Sequence, residues 1–201
     1  AVELGAKAGI VPPSGEVRER FEVPDWLYVD ERAEYAQTVT VNLDELQPQT
    51  AEPHAVDRVR DVSELSGTRV DVVFLGTCTN GRYEDLREAA DLLEGRRVSE
   101  DVRFLVTPSS SQELRRAADD GTLDILLAAG AVLTTPGCGA CMGRHQGTLA
   151  DHDVCFSTGN RNFRGRMGAP TSRIYLGSPR SAAAAALTGE ITDPRTLDQE
   201  G

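Results

Sequence analysis

The sequence predicts an α/β fold, a three-layer domain in which a largely parallel sheet is flanked by helices. Three observations carry this. Short apolar runs, such as residues 70–76 and 154–158, have the length and bulk of buried strands. They alternate with segments of helical period; in 82–94, Leu86, Ala89, Ala90 and Leu93 share one face. Several runs end in glycine-bearing loops rich in sulfur or polar side chains, where an open α/β sheet presents its chemistry.

Residues 1–10 read as a helix, which Val11-Pro12-Pro13-Ser14-Gly15 breaks. A charged stretch follows over 16–36, with Trp26 and Tyr28 expected to pack a small first domain. Residues 38–43 alternate as a strand does. Residues 47–54, carrying Pro48 and Pro53, read as a linker, so the expected domains are 1–45 and 46–201. In the second, strand 70–76 leads to Cys78 and helix 82–94 follows. Strand 102–106 precedes Thr107-Pro108-Ser109-Ser110-Ser111, read as the cap of a helix from Gln112 in preference to an anion site. A short helix over 121–129 leads to strand 131–135 and a pair of cysteines. Strands 154–158 and 173–177 and a close-packed alanine-rich helix over 181–187 complete the pattern. The polar tail from Asp193 is expected to fray.

A chain of 201 residues, 39% hydrophobic, has enough apolar mass for one full domain and a smaller piece. Its net charge of −11 argues against nucleic-acid binding, which needs a basic face. Lys7 is the only lysine, a bias that fits a GC-rich genome or a salt-loving organism. Nothing approaches the roughly 20-residue apolar run that spans a bilayer, and no signal-peptide pattern is present. Four cysteines in such a chain fit a reducing cytoplasm better than two disulfides. The chain opens without Met, and we expect it to be a piece of a longer protein.

Cys78 lies in Cys78-Thr79-Asn80-Gly81-Arg82, and Cys138 and Cys141 in Pro136-Gly137-Cys138-Gly139-Ala140-Cys141-Met142-Gly143. Three thiolates suit an iron–sulfur cluster with one iron left open. Zinc is a rival, although a closed zinc site takes four ligands. A redox pair at Cys-Gly-Ala-Cys is another, and leaves Cys78 unexplained. Cys155, inside an apolar strand, reads as a small buried hydrophobe. His54, His145 and His152 are candidate ligands or acids, read in preference as solvated side chains; His145 lies nearest the paired cysteines in sequence.

Ser157-Thr158-Gly159-Asn160-Arg161-Asn162-Phe163-Arg164-Gly165-Arg166 sets three arginines within six positions of an acidic chain. Guanidinium forks bind carboxylates in a bidentate manner, and the loop follows a strand. It predicts an anionic substrate, a small di- or tricarboxylate. An exposed loop with surface ion pairs is the plainer alternative.

These segments, with residues 75–86 and the closing Leu187-Thr188-Gly189-Glu190-Ile191-Thr192-Asp193-Pro194-Arg195, resemble the aconitase superfamily, most closely its 3-isopropylmalate dehydratase large-subunit branch. Cys-Thr-Asn-Gly-Arg favours that branch over aconitases proper, which usually carry serine after the asparagine. The resemblance implies the superfamily's iron–sulfur domain, a [4Fe–4S] cluster on Cys78, Cys138 and Cys141, and no ligand role for Cys155. It implies substrate carboxylates on Arg161 and Arg166 with Asn160 in support, and Glu3 beside the open iron. Residues 1–45 become the remnant of a preceding domain. The implied reaction is reversible dehydration of isopropylmalate in leucine biosynthesis, with homoaconitase, an aconitase-like hydratase or a non-catalytic metal-binding fragment as alternatives. The family's first domain is missing here. Its serine base belongs to a swivelling domain or small-subunit partner, so this chain alone is expected to turn over little.

Overall fold

The structure, a computed structural model, describes residues 6–198, and the chain divides after Leu46 into two units. In the first, the described residues form a short helix α1 (Gly15–Arg20) and two 3-10 turns, Asp25–Leu27 and Leu43–Glu45. No described residue of this unit is fully buried, and Trp26 is 79% exposed. The expected packing of Trp26 and Tyr28 into a domain core is therefore corrected. Tyr28 is also exposed, with Arg18 over its ring at 4.9 Å. Residues 38–42 lie in neither helix nor strand and Leu43 opens a 3-10 turn, so the expected strand at 38–43 does not form. A lone strand leaves its backbone groups to water and gains nothing from alternation. Of the expected helix at 1–10, residues 6–10 are not helical and 1–5 lie outside the described residues.

The second unit is built on one seven-stranded sheet. Its strands are β1 (Gln49–Ala51), β2 (Val59–Asp61), β3 (Val72–Leu75), β4 (Arg103–Val106), β5 (Val132–Leu133), β6 (Val154–Ser157) and β7 (Arg173–Leu176). The spatial order is β2-β1-β7-β6-β3-β4-β5. The five strands from β7 to β5 run parallel, while β1 and β2 are antiparallel at one edge. The chain starts the parallel part at β3, builds outward through β4 and β5, then returns to place β6 on the other side of β3. This reversal opens a crevice at the carboxyl ends of β3 and β6, the usual ligand position in such sheets.

Period-two alternation divides the core. Val73, Leu75, Phe104, Val106, Val154, Phe156 and Tyr175 face the helices; Val72, Phe74, Leu105, Cys155 and Ile174 face the other way. The helices are α2 (Tyr83–Leu93), α3 (Ser111–Asp119), α4 (Thr122–Ala129), α5 (Pro179–Thr188) and α6 (Pro194–Leu197). α2 packs against α4 and α5, and α5 against β3. In α5, Ala182–Ala186 are all fully buried, which suits a helix pressed against neighbours on several sides. Each large side chain removed from water here adds about 1.5–3 kcal/mol, so this helical face carries most of the stability. The opposite face is covered by a 3-10 turn, Gly139–Met142, and by Leu149 and Met167.

Local chemistry sets the helix starts. Ser110 Oγ accepts from Glu113 N (3.2 Å), so the Thr107–Ser111 loop is a cap. Ser178 Oγ accepts from Ser181 N (3.1 Å) ahead of Pro179 in the first turn of α5. Two expectations are corrected. The linker over 47–54 contains β1, whose Thr50 and Ala51 are buried, and Glu52 N donates to Arg58 O (2.8 Å) to close the hairpin with β2. Three residues between prolines carry too little alternation to read as a strand. The tail does not fray at Asp193. The Asp193 carboxylate accepts from Arg195 N (3.0 Å), capping α6, and Pro194 is buried.

Asp120 links α2 to the start of α4. Tyr83 Oη donates to Asp120 Oδ2 (2.6 Å), Thr122 Oγ1 to the same oxygen (3.0 Å) and Thr122 N to Oδ1 (3.1 Å). These donors, Tyr83 first, hold the carboxyl down at about 2. Its folded pKa lies below the unfolded value, so the stabilisation is complete above about pH 4 and lost as pH falls through about 2. We expect the gap in thermal midpoint between wild type and Asp120→Asn to narrow over that window. Melts at stepped pH check it; a gap independent of pH contradicts this account.

Candidate functional site

Three loops meet at the carboxyl edge of the sheet. The loop after β3 carries Cys78, that after β5 carries Cys138 and Cys141, and that after β6 carries the arginines. The first and third are laced across the β3–β6 crevice. Gly76 N donates to Thr158 Oγ1 (2.8 Å), Asn80 Nδ2 to Thr158 O (2.6 Å), and Asn80 Nδ2 and Thr79 Oγ1 to Asn160 Oδ1 (2.9 and 3.1 Å). Asn160 therefore holds the Cys78 loop in place. Within that loop, Thr77 Oγ1 accepts from Asn80 N (3.1 Å) and Thr79 N (3.2 Å).

The second loop closes over the same edge. Gly137 N donates to Pro108 O (2.9 Å), Ser109 N to Gly81 O (2.7 Å) and Cys141 N to Cys138 O (3.1 Å). Gly139, at φ +52, sits so close to the Phe74 ring that a Cβ would approach it to 2.9 Å. Gly143, at φ +66, lies against Gly168, where a Cβ would meet the amide nitrogen at 2.7 Å. These contacts require glycine and bring the paired cysteines to the arginine loop.

Cys78 and Cys138 are exposed and Cys141 is half-buried. The Cys138 and Cys141 thiols stand near enough to act electrostatically on that of Cys78. Partial desolvation, then these two thiols, push its pKa up. Among the described residues no three His, Cys, Asp or Glu side chains close tightly enough to hold a single metal ion. Zinc would draw each thiolate to about 2.3 Å from one centre. A cluster offers a different iron to each thiolate, so its ligands stand further apart. Soft sulfurs on two loops of one sheet edge, with Arg166 on Cys141, are a donor set whose chemistry suits a cluster.

Arg166 Nη2 donates to Cys141 Sγ (3.4 Å), and its guanidinium stands 5.4 Å from the centre of the Phe163 ring. Arg161 is half-buried and Arg164 exposed. Asn162, fully buried, was visible in sequence only as part of the motif. Its Nδ2 donates to Glu52 O (2.7 Å) and Ile174 O (3.2 Å), fastening the arginine loop to the β1–β2 hairpin and β7. Thr158 and Asn80 carry no comparable signal in the sequence, because their partners lie about eighty positions away. His54, on the hairpin, has its pKa lowered by burial first and then by Arg164, Arg58 and Arg173. Cys155 sits in the second core, and burial pushes its thiol far above the usual range. His145, at φ +76, lines an open cavity of about 270 Å³ with Cys138, Met142 and Arg144. Glu3 lies outside the described residues.

The contrast among the four thiols is directly measurable. With the native, metal-free chain, alkylation should modify Cys78 and Cys138 first, Cys141 more slowly, and Cys155 only after unfolding. Peptide mass mapping over time checks this; early labelling of Cys155 would contradict the packing described above.

Comparison with known proteins bears on this geometry. The model of the aconitase family (aconitate hydratase) matches residues 60–189. A homoaconitase large subunit from Thermus thermophilus is 59% identical over 199 residues, which is 99% of this chain and 48% of that protein. A 3-isopropylmalate dehydratase large subunit from Herpetosiphon aurantiacus is 56% identical, over 98% of this chain and 47% of its own length. One from Deinococcus radiodurans is 55% identical, over 98% and 46%. The chain thus spans about half the length of the curated relatives it matches. On the family match and the arrangement of its loops, this chain belongs to the aconitase family.

Proposed function

We propose that this chain is the cluster-binding part of the large subunit of a hydro-lyase that interconverts 2- and 3-isopropylmalate in leucine biosynthesis, in the cytoplasm. The observation that carries the reading is the meeting of the Cys78, Cys138 and Cys141 loops with the arginine loop at the β3–β6 crevice. Residues 1–45 would belong to a preceding domain. Homoaconitase activity is the second reading, favoured by the 59% identity to a protein named for it.

Cys78, Cys138 and Cys141 would hold a [4Fe–4S] cluster, which when bound supplies a Lewis acid for the substrate hydroxyl. The chain's own part is positional. Arg161, with Arg166 in the same loop, places fixed positive charge where a dicarboxylate must lie. Asn160 keeps the Cys78 loop in register with that charge, and Asn162 stops the loop from drifting off the sheet edge. The proton on carbon would be taken by a base on a separate small subunit, and Glu3 is proposed to act near the hydroxyl.

Two outcomes test this. Anaerobic reconstitution with iron and sulfide should give a brown chain. Cys78→Ala, Cys138→Ala and Cys141→Ala should each lose most of the visible absorbance, and Cys155→Ala should keep it. A colourless chain holding one tight zinc would refute the cluster. With a small subunit and the rest of the large subunit supplied, Arg161→Gln should raise KM for dicarboxylate substrate by about 10- to 100-fold, the loss of a charge-assisted bond. Rates on isopropylmalate and homoaconitate, measured side by side, separate the two readings. The chain alone should show little turnover.

A further inference from the structure

We infer that His54 is a positioning residue for the arginine loop: it stands in the turn that clasps Asn162, and a proton taken up by its ring loosens that clasp. The clasp is a single amide. Asn162 Nδ2 donates to Glu52 O (2.7 Å), Ala55 O (3.5 Å) and Ile174 O (3.2 Å). Asn162 Oδ1 is sealed from solvent with no hydrogen-bond partner among the described residues. Two of the three carbonyls therefore lie on either side of His54 in the β1–β2 turn. His54 Nδ1 is sealed without a partner as well. Arg58 Nη1 donates to Pro53 O (3.1 Å), so a guanidinium already lies on this turn.

These atoms set what the ring can carry. A neutral imidazole can leave Nδ1 as a bare lone pair, with its one proton on Nε2. An imidazolium has to donate from both nitrogens, and its Nδ1–H would be buried with no acceptor in place. The surroundings oppose the charge too. Arg58 stands on the same turn, Arg164 on the arginine loop and Arg173 at the start of β7, and all three act on the ring. Glu52, two positions before His54, is engaged with Arg60 (3.0 Å), and Asp57 is exposed. Burial first, then Arg164, hold the pKa of His54 below its usual 6.5, against a pull from the Asn162 backbone. The folded value lies below the unfolded one, so the clasp is whole above about pH 6.5 and weakens as pH falls below it. The proton is taken up best when the turn opens, and an open turn withdraws Glu52 O and Ala55 O from Asn162.

The consequence for recognition rests on the reading of the arginine loop as the carboxylate site; the clasp itself does not. The test uses the full, metal-free chain as wild type, His54→Gln and His54→Ala. Hydrogen exchange over residues 159–166, expressed as protection factors, is followed from about pH 7.5 to pH 5, and the His54 ring is titrated by NMR. Wild-type protection should fall about 10-fold over that range, short of the roughly 30-fold ceiling for a ring that takes no proton while clasped. The ring should titrate below its usual value. His54→Gln keeps an N–H at the ε position and carries no charge, so its protection should stay flat. His54→Ala should be weakly protected at every pH; if it does not fold, the glutamine variant and the wild-type series decide. In the assembled enzyme, KM for the dicarboxylate should rise more at low pH in wild type than in His54→Gln, with kcat little moved. Wild-type protection that stays flat, or that rises because the charged ring donates to Asn162 Oδ1, overturns the inference. So does a glutamine variant that tracks wild type. If protection behaves as expected and KM does not follow, the clasp stands and the carboxylate role of the loop falls.

Discussion

The adjacency of β3 and β6 is the constraint on which the rest of the site depends. These strands are neighbours in the sheet although some eighty residues separate them in the chain, and the loops that leave their ends must share one crevice. Gly76 N on Thr158 Oγ1 and Asn80 on Asn160 are the direct results. The strand-end backbone is spent on the ladder, so loop side chains have to satisfy one another. Short amides and hydroxyls do so here, leaving thiols and guanidiniums facing outward. The loop from β5 arrives by lying across the ends of β3 and β4, over Phe74 and Thr107, which only glycine at 139 permits.

Electrostatics divides the molecule in two. The whole chain carries −11, a charge that repels small anions at long range. Around the arginine loop cations gather: Arg58, Arg164 and Arg173 all act on His54, and Arg166 turns toward sulfur. The acidic groups that flank the sheet, such as Asp71 and Asp153 near the amino ends of β3 and β6, stand at the opposite edge.

Much of this was legible in the sequence, and the limits have physical causes. The parallel strands and α2 were readable because each buries a continuous run or stripe, and burial leaves a local record. The cysteines and arginines were readable because their chemistry is carried in consecutive residues next to glycine. β1 and β2 were not, since strands of three residues acquire their identity only by pairing, β2 with β1 and β1 with β7. The placing of Asn80, Thr158 and Asn162 was hidden for the same reason: an amide announces a hydrogen bond but never its partner. The opposite failure occurs at 38–43, where alternation is present and no neighbouring strand rewards it. Arg166 shows a subtler limit, because composition marks an arginine-rich loop without telling which guanidinium turns toward a thiol.

Asn162 couples the arginine loop to the weakest edge of the sheet. The hairpin it grips is short, antiparallel and peripheral, joined to the parallel strands through one register pair, Ala51 with Leu176. Local opening at such an edge costs less free energy than unfolding the parallel core. A frayed hairpin would free the Asn162 amide, and with it the anchorage of the arginine loop, while the strands and thiol loops stayed folded.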